Sequence, residues 1–215
     1  MSSDAHSGGE LFVIAGPSGS GKTSLIAALL ERHSGLALSV SDTTRPPRAG
    51  EIDGEHYHFI SEDEFRAGVA EGVYLEHASV FGRFYGTRRD RVEAMWKTGR
   101  DVLLEIDVQG AEQVRRAHRQ TCAIFILPPS LEELEKRLRG RGSDSDDVIT
   151  RRLGEARREI AVGRRFDWLV PNDRFDDALA DLLAVVRAWP RRNSAGQPLI
   201  EELLDARGNN STMKD

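Results

Sequence analysis

The run Gly16-Pro17-Ser18-Gly19-Ser20-Gly21-Lys22-Thr23 gathers the residue types that hold a polyphosphate. Glycines let successive backbone N–H groups turn toward one anion without Cβ clashes, forming a nest. Lys22 follows as a point charge able to reach β- and γ-phosphates, and the Thr23 hydroxyl suits a Mg²⁺ ion that keeps most of its water. The chemistry implied is capture of a nucleoside triphosphate with its metal. A glycine-rich turn formed by chance is the plain alternative, and the flanking residues weigh against it. Phe12-Val13-Ile14-Ala15 reads as a strand entering the loop, and Leu25, Ile26, Leu29 and Leu30 fall at helical spacing after it. Strand, loop and helix in that order make a P-loop, and a helix starting near Lys22 adds the positive end of its dipole.

Two further sets of cations are placed to meet anions. Arg45 and Arg48 flank Pro46-Pro47; adjacent prolines forbid a helix and hold the chain extended, so both guanidinium groups project from a stiff loop. Residues 136–165 are dense in arginine: Arg137, Arg139, Arg141, Arg151, Arg152, Arg157, Arg158, Arg164 and Arg165. Interleaved Glu132, Glu133, Glu135, Asp144, Asp146, Asp147, Glu155 and Glu159 give part of this segment the pattern of a solvated helix face. Its few apolar residues, the glycines Gly140, Gly142 and Gly163, and its pairing with a phosphate site predict instead a lid that closes over phosphates and excludes water.

These residues need a scaffold of alternating strands and helices. Leu36–Ser41 reads as a short strand, Gly50, Asp53 and Gly54 as turns, and Tyr57–Ile60 as another strand. Ser61-Glu62-Asp63-Glu64 is a capping box opening a helix that carries Phe65 and Val69 and ends at Gly72. Val73–Tyr85 then has the pattern of a β-hairpin turning near Gly82. Residues 41–86 thus form a strand-rich insertion, a second binding surface. Alternation resumes with a helix at Arg89–Lys97, a strand at Asp101–Asp107, a helix at Ala111–Ala117, a strand at Thr121–Leu127 and a helix bearing Leu131, Leu134 and Leu138. A strand at Asp167–Val170 and an amphipathic helix through Leu179, Leu182, Leu183 and Val186 finish the pattern. Such spacing predicts an α/β fold whose parallel sheet is covered by helices on both faces. The expected division is a mobile 1–9, a P-loop core of 10–40 and 87–189 with its lid at about 136–165, the inserted subdomain 41–86, and a tail 190–215.

A chain of 215 residues can bury one core with an inserted subdomain. The net charge of −5 argues against wholesale nucleic-acid binding, although 30 Lys and Arg remain available for local anion sites. Cys122 is the one cysteine, so no internal disulfide forms, and its apolar surroundings assign it to strand packing. No apolar run reaches the ~18 residues that cross a bilayer, and residues 1–9 lack a signal-peptide pattern. A cytoplasmic enzyme, with no membrane and no nucleic acid among its partners, is expected; the sequence leaves room for a homo-oligomer.

Ser41-x-Thr43-Thr44-Arg45-x-x-Arg48 and Asp107-Val108-Gln109-Gly110, in order and spacing with the P-loop, resemble the guanylate kinase family over residues 10–188. The resemblance implies a P-loop core, an inserted GMP-binding subdomain and an arginine-bearing lid. It implies Mg²⁺-dependent transfer of the ATP γ-phosphoryl group to GMP, giving ADP and GDP, in purine nucleotide metabolism and GMP recycling. Matched position by position, it assigns the GMP phosphate to Arg45, Arg48, Tyr57 and Tyr85, and the guanine to Ser41, Glu76 and Thr87 with Asp107. It assigns phosphoryl transfer to Lys22, Arg137, Arg141 and Arg152. The ATP side takes Gly16, Pro17, Ser18, Gly19, Ser20, Gly21, Lys22 and Thr23, with Asn172 near the base and ribose and Thr23 on the metal.

From pattern alone, Tyr57 and Tyr85 also fit ordinary strand aromatics, and Glu76 fits a solvent-facing hairpin position equally well. His56 and His58 share a strand face, but two ligands without a third make a poor metal site. His77 stands where the family usually has Trp, Arg83-Phe84 where it has Asn-Tyr, and Pro171 precedes Asn172. None of these removes a charged or hydroxyl contact. Two other readings compete: a scaffold domain of the same fold that binds phosphorylated partners without catalysis, disfavoured by the intact P-loop, and a kinase for another phosphorylated sugar or nucleotide, disfavoured by Glu76 with Ser41.

Overall fold

A computed structural model describes residues 9–140 and 145–189. Along the chain run β1 (Leu11–Ala15), α1 (Lys22–Arg32), β2 (Leu36–Leu38), β3 (Asp42–Thr43), β4 (His58–Phe59), α2 (Glu62–Ala70), β5 (Tyr74–Val80) and β6 (Arg83–Arg88). Then come α3 (Arg89–Lys97), β7 (Asp101–Glu105), α4 (Val108–Ala117), β8 (Cys122–Leu127), α5 (Leu131–Arg139), α6 (Asp146–Gly163), β9 (Trp168–Pro171) and α7 (Phe175–Ala188). Arg141, Gly142, Asp144 and the segments expected to be mobile start and tail, 1–8 and 190–215, lie outside the described residues.

β1 and β8 are apolar at nearly every position because they are central strands of a parallel sheet buried on both faces. The sheet order is β2-β7-β1-β8-β9. Alternation in β1 divides the core: Phe12 and Ile14 face Leu25, Ile26 and Leu29 of α1 with Leu179, Leu182 and Val186 of α7. Leu11 and Val13 face Val92 of α3 and Val114 of α4 on the other side. Cys122 is fully buried in β8.

A second, mixed sheet of order β4-β3-β6-β5 hangs from the first. Here the structure departs from the expected strand 36–41. The chain leaves the main sheet after β2, and Asp42–Thr43 pairs instead with Gly86 and Tyr85 of β6 and with β4. Asp42, 2% exposed, anchors that transfer by accepting from Tyr74 Oη at 3.0 Å and pairing with Arg91. The capping box of α2 is present as read, with Ser61 and Glu64 bonded reciprocally. β5 and β6 form the hairpin, and the register slips between Tyr74 and Glu76. That bulge lets Tyr74, Leu75 and Glu76 all turn inward, which strict alternation forbids.

α4 starts three residues before the expected Ala111. Asp107 caps it, its Oδ1 accepting from Gly110 N at 2.8 Å. Gly110 stands just before the expected start yet lies inside the helix, for a reason found in the site.

Candidate active site

Both phosphate loops and the hairpin open onto one cavity of about 350 Å³, at the carboxyl ends of the parallel strands, where α/β sheets place ligands. Its floor is the P-loop: Gly16, Ser18, Gly19, Gly21, Lys22, Thr23 and Ser24 line it. Gly21 takes φ 92° as α1 begins, and a Cβ there would stand 2.3 Å from Asn172 Nδ2. Lys22 Nζ arches back over its loop, donating to Gly16 O at 2.6 Å and Pro17 O at 3.1 Å. Thr23 Oγ1 donates to Glu105 Oε1 at 2.9 Å, so the last residue of β7 and the first turn of α1 present hard oxygen ligands side by side.

Asn172 is 6% exposed, and its Nδ2 donates to Ser20 O at 2.7 Å. Its backbone N–H donates to Leu127 O at 2.8 Å, so the residue ties the loop to the sheet from behind. Ser20 is fully buried, and Pro17 faces the cavity through neither side chain nor lining surface.

The far wall is built from the second sheet and from Ser41, which lies between β2 and β3. Glu76 and Thr87 are directly opposed across β5 and β6. Thr87 Oγ1 donates to Glu76 Oε1 at 2.6 Å, and Ser41 Oγ stands 3.3 Å from the same hydroxyl. All three side chains are buried, Glu76 to 3% exposure. Burial pushes the Glu76 carboxyl up to about 7; the Thr87 hydrogen bond opposes that rise and the charge of Asp107 adds to it. The solvent-facing alternative for Glu76 is therefore not what the chain adopts. Gly110 explains itself here, because a Cβ at that position would fall 2.2 Å from Glu76 Oε2. The bare helix turn is the space the carboxylate occupies.

Arg48, Tyr57 and Tyr85 line the cavity above Glu76. Tyr57 and Tyr85 meet edge to face at 5.8 Å, and burial, with a further contribution from Glu105, pushes the Tyr57 phenol up to about 12, so it stays a neutral donor. Arg45 sits behind this pair, its guanidinium 5.5 Å from the Tyr57 ring centre. Glu51, which sequence reasoning passed over, organises the stiff loop: one carboxylate oxygen takes Arg45 Nη2 at 2.8 Å and the other takes the Arg48 backbone N–H at 2.7 Å. The Arg45 bond holds Glu51 below the usual carboxylate range.

From the lid segment, α6 brings Arg152 and Glu159 to the cavity. Arg137 stays on α5 outside the lining, its Nε 3.3 Å from Glu133 Oε1. Glu159, which the pattern groups with the residues of a solvated face, instead lines the cavity. Burial pushes its carboxyl up to about 7, with Lys22 pulling it down and Asp107 and Glu155 pushing it up. The available signal was its spacing: Arg152, Ala156 and Glu159 recur at four and three residues, one face of a helix, and Ala156 is buried.

The guanylate kinase family model matches residues 8–189. The chain belongs to the guanylate kinase family. The guanylate kinase of Neisseria gonorrhoeae is 50% identical over 201 residues, which are 94% of this chain and 98% of that one. The guanylate kinase of Thiobacillus denitrificans is 52% identical over 180 residues, 84% and 86% of the two chains. Among solved structures, the crystal structure of guanylate kinase from Anaplasma phagocytophilum superposes with a TM-score of 0.71 at 34% identity, covering 84% of this chain and 86% of its own. The α/β core with a five-stranded parallel sheet is thus a guanylate kinase fold, and none of the described helices is long and apolar enough to cross a membrane.

Proposed function

We propose that this chain moves the γ-phosphoryl group of ATP onto the phosphate of GMP, giving ADP and GDP, with the P-loop holding the donor and the second sheet holding the acceptor. The observation that carries this reading is that Lys22 and Thr23 line the same cavity as the buried Glu76. Guanine offers two adjacent donors, N1–H and the N2 amino group, to a single carboxylate, and an O6 acceptor to a hydroxyl. Glu76 with Ser41 and Thr87 is a complementary set, with Asp107 beside it. Adenine sets a lone pair at N1 against Glu76 and leaves buried groups unpaired.

Arg48, Tyr57 and Tyr85 are suited to the GMP phosphate, and Arg45 supports them through Tyr57 and its ion pair with Glu51. Guanidinium groups grip phosphate oxygens in pairs while a neutral phenol adds a donor. The acceptor is itself a phosphate, so the protein needs no nucleophilic side chain; its work is alignment and neutralisation of charge. Lys22 supplies charge to the donor, Arg152 reaches the transfer region from α6, and Arg137 and Arg141 belong to the same lid in this reading. Asn172 supports the ATP subsite through Ser20 rather than by presenting its amide to the cavity.

The residues present fit Mg²⁺. Thr23 and Glu105 would hold it through oxygen, and an ion that dehydrates reluctantly needs few protein ligands. When bound, it would neutralise charge on the phosphates during transfer. The test is ADP release from ATP and Mg²⁺, coupled to a reporter, with GMP, AMP, CMP and UMP offered in parallel. Turnover confined to GMP is expected; equal turnover with AMP, or none with any acceptor, refutes the reading.

A further inference from the structure

The tip of the β5–β6 hairpin breaks a rule of turn chemistry. Only Phe81 and Gly82 separate the two strands, with φ 52° and 73°. Positive φ at both central positions marks a type I′ turn, whose first position favours Asn, Asp or Gly. Phe81 is the one non-glycine residue at positive φ among the described residues. A bulky residue held there is strained, and such strain persists where something else depends on it.

The ring does not repay that strain by burial within the hairpin, since Phe81 is 42% exposed. Its partners come from the other side of the cavity. Arg151 and Arg152 of α6 place their guanidinium carbons 5.1 and 5.5 Å from the ring centre, within the range where a cation is attracted to an aromatic face. A π face attracts both guanidinium groups, which an aliphatic side chain would not do. Arg152 and Glu159 line the cavity from this same helix, and Phe81 lines it from the hairpin. Elsewhere α6 packs on α5 through Leu134, Leu138 and Ile149, pairs Asp146 with Arg139, touches α4, and meets Phe125 at Gly163.

We propose that Phe81 is a positioning residue for phosphoryl transfer: its ring clasps Arg151 and Arg152, holding α6 against the acceptor-side hairpin so that Arg152 is presented to the transfer region. The inference rests on the guanylate kinase reading and deepens it, by making the acceptor-side hairpin set the geometry of the donor-side lid. Arg151 points to the ring without lining the cavity. It acts through the clasp alone.

The test compares the wild type with Phe81→Asn, Phe81→Leu, Phe81→Tyr and Arg151→Met, reading kcat, KM for both nucleotides, GMP affinity without ATP, and Tm. Asn-Gly is the preferred I′ pair, so Phe81→Asn should keep or raise Tm while lowering kcat roughly tenfold, the scale of losing both ring contacts. GMP affinity should stay within about twofold of wild type. Phe81→Leu should lose kcat likewise, Phe81→Tyr should restore it, and Arg151→Met should lower kcat without altering GMP affinity. Wild-type kcat in Phe81→Asn overturns the clasp, as does a loss of kcat accompanied by lower Tm and weaker GMP binding, which would make Phe81 a structural residue of the hairpin. Failure of the kinase reading itself looks different: the wild type then shows no GMP-dependent ADP release. In that case non-additive Tm changes between Phe81→Leu and Arg151→Met still report the clasp, and additive changes refute it.

Discussion

The two ends of the cavity are built on opposite plans. The donor end is made of backbone: eight consecutive residues, Gly16 to Thr23, form the loop, and a single lysine adds charge. The opposite end is made of side chains, Ser41, Glu76 and Asp107 with Thr87 buried behind Glu76, which the chain brings together only by folding the second sheet against α4. A backbone nest binds any polyphosphate, because phosphate oxygens are the same on every nucleotide. A buried carboxylate held by a hydroxyl at 2.6 Å, in the proposed reading, would select one base edge. Affinity for phosphate and choice of base are therefore separable properties of this molecule, and substitutions should separate them.

The largest effect is expected on base choice. Sites built around such hydrogen bonds reject the wrong partner by roughly 10⁴-fold, and Glu76→Gln should remove most of that margin from the GMP-to-AMP ratio of kcat/KM. Arg48→Met should weaken both nucleotides alike. A ratio unchanged in Glu76→Gln would mean that guanine is read elsewhere. Next in size is Lys22→Ala, which removes a fixed cation from the transferring group and should cost on the order of 10³-fold in kcat. Titration calorimetry with GMP alone should show affinity intact; equal loss there would merge the two ends that the comparison keeps apart.

Gly110→Ala should act on the acceptor end without touching its chemistry. Alanine favours a helix over glycine by about 1 kcal/mol, yet its Cβ claims the place of Glu76 Oε2. KM for GMP should rise roughly tenfold, the cost of about one misplaced hydrogen bond, with KM for ATP unchanged. A variant with unaltered KM for GMP would show that Glu76 has room to move.

The smallest effect is on pH dependence. If Glu76 accepts two donors from guanine, as proposed, it must be ionised to do so, and burial pushes its carboxyl up to about 7 in the folded chain against an ordinary 4.5. GMP binding should release a proton below pH 7, weakening up to tenfold per pH unit, and Glu76→Gln should abolish that release in calorimetry across buffers. For stability the sign follows from the raised value. The folded chain holds this proton more tightly, so the carboxyl's favourable contribution is complete below 4.5 and lost as pH rises through 7. Tm of Glu76→Gln relative to wild type should climb over that window and level off above it; a flat difference would place the Glu76 carboxyl near its ordinary value.

The same contrast governs what the sequence makes legible. The P-loop, the capping box at Ser61 and Glu64, and the apolar strands β1 and β8 declare themselves because each is a contiguous pattern governed by local geometry. The acceptor end does not. Residue pattern leaves Glu76 open between solvent and site, and resemblance to a family points to it; the bulge that turns Tyr74, Leu75 and Glu76 inward together has no signature in alternation. Glu105 and Glu159 pass for ordinary strand-end and surface carboxylates, because their meaning lies in what stands across the cavity. Gly110 looks like punctuation because its function is the volume it leaves to another residue, and Ser39–Ser41 looks like more strand because the change of sheet is decided by the distant Tyr74 and Arg91.

Pro171 ends β9, the outermost strand of the main sheet, where it pairs with Leu127 on its inner side. A proline has no N–H, and here the absence falls on the inner side: Asp167 N donates to Ala123 O, and alternation along the strand turns residue 171 toward β8 as well. Leu127 O is served instead by the N–H of Asn172, one residue on, at 2.8 Å. The residue that departs from the family pattern thus shifts the last rung of the ladder by one position, and the shifted rung fastens Asn172 where its amide meets Ser20 O of the phosphate loop.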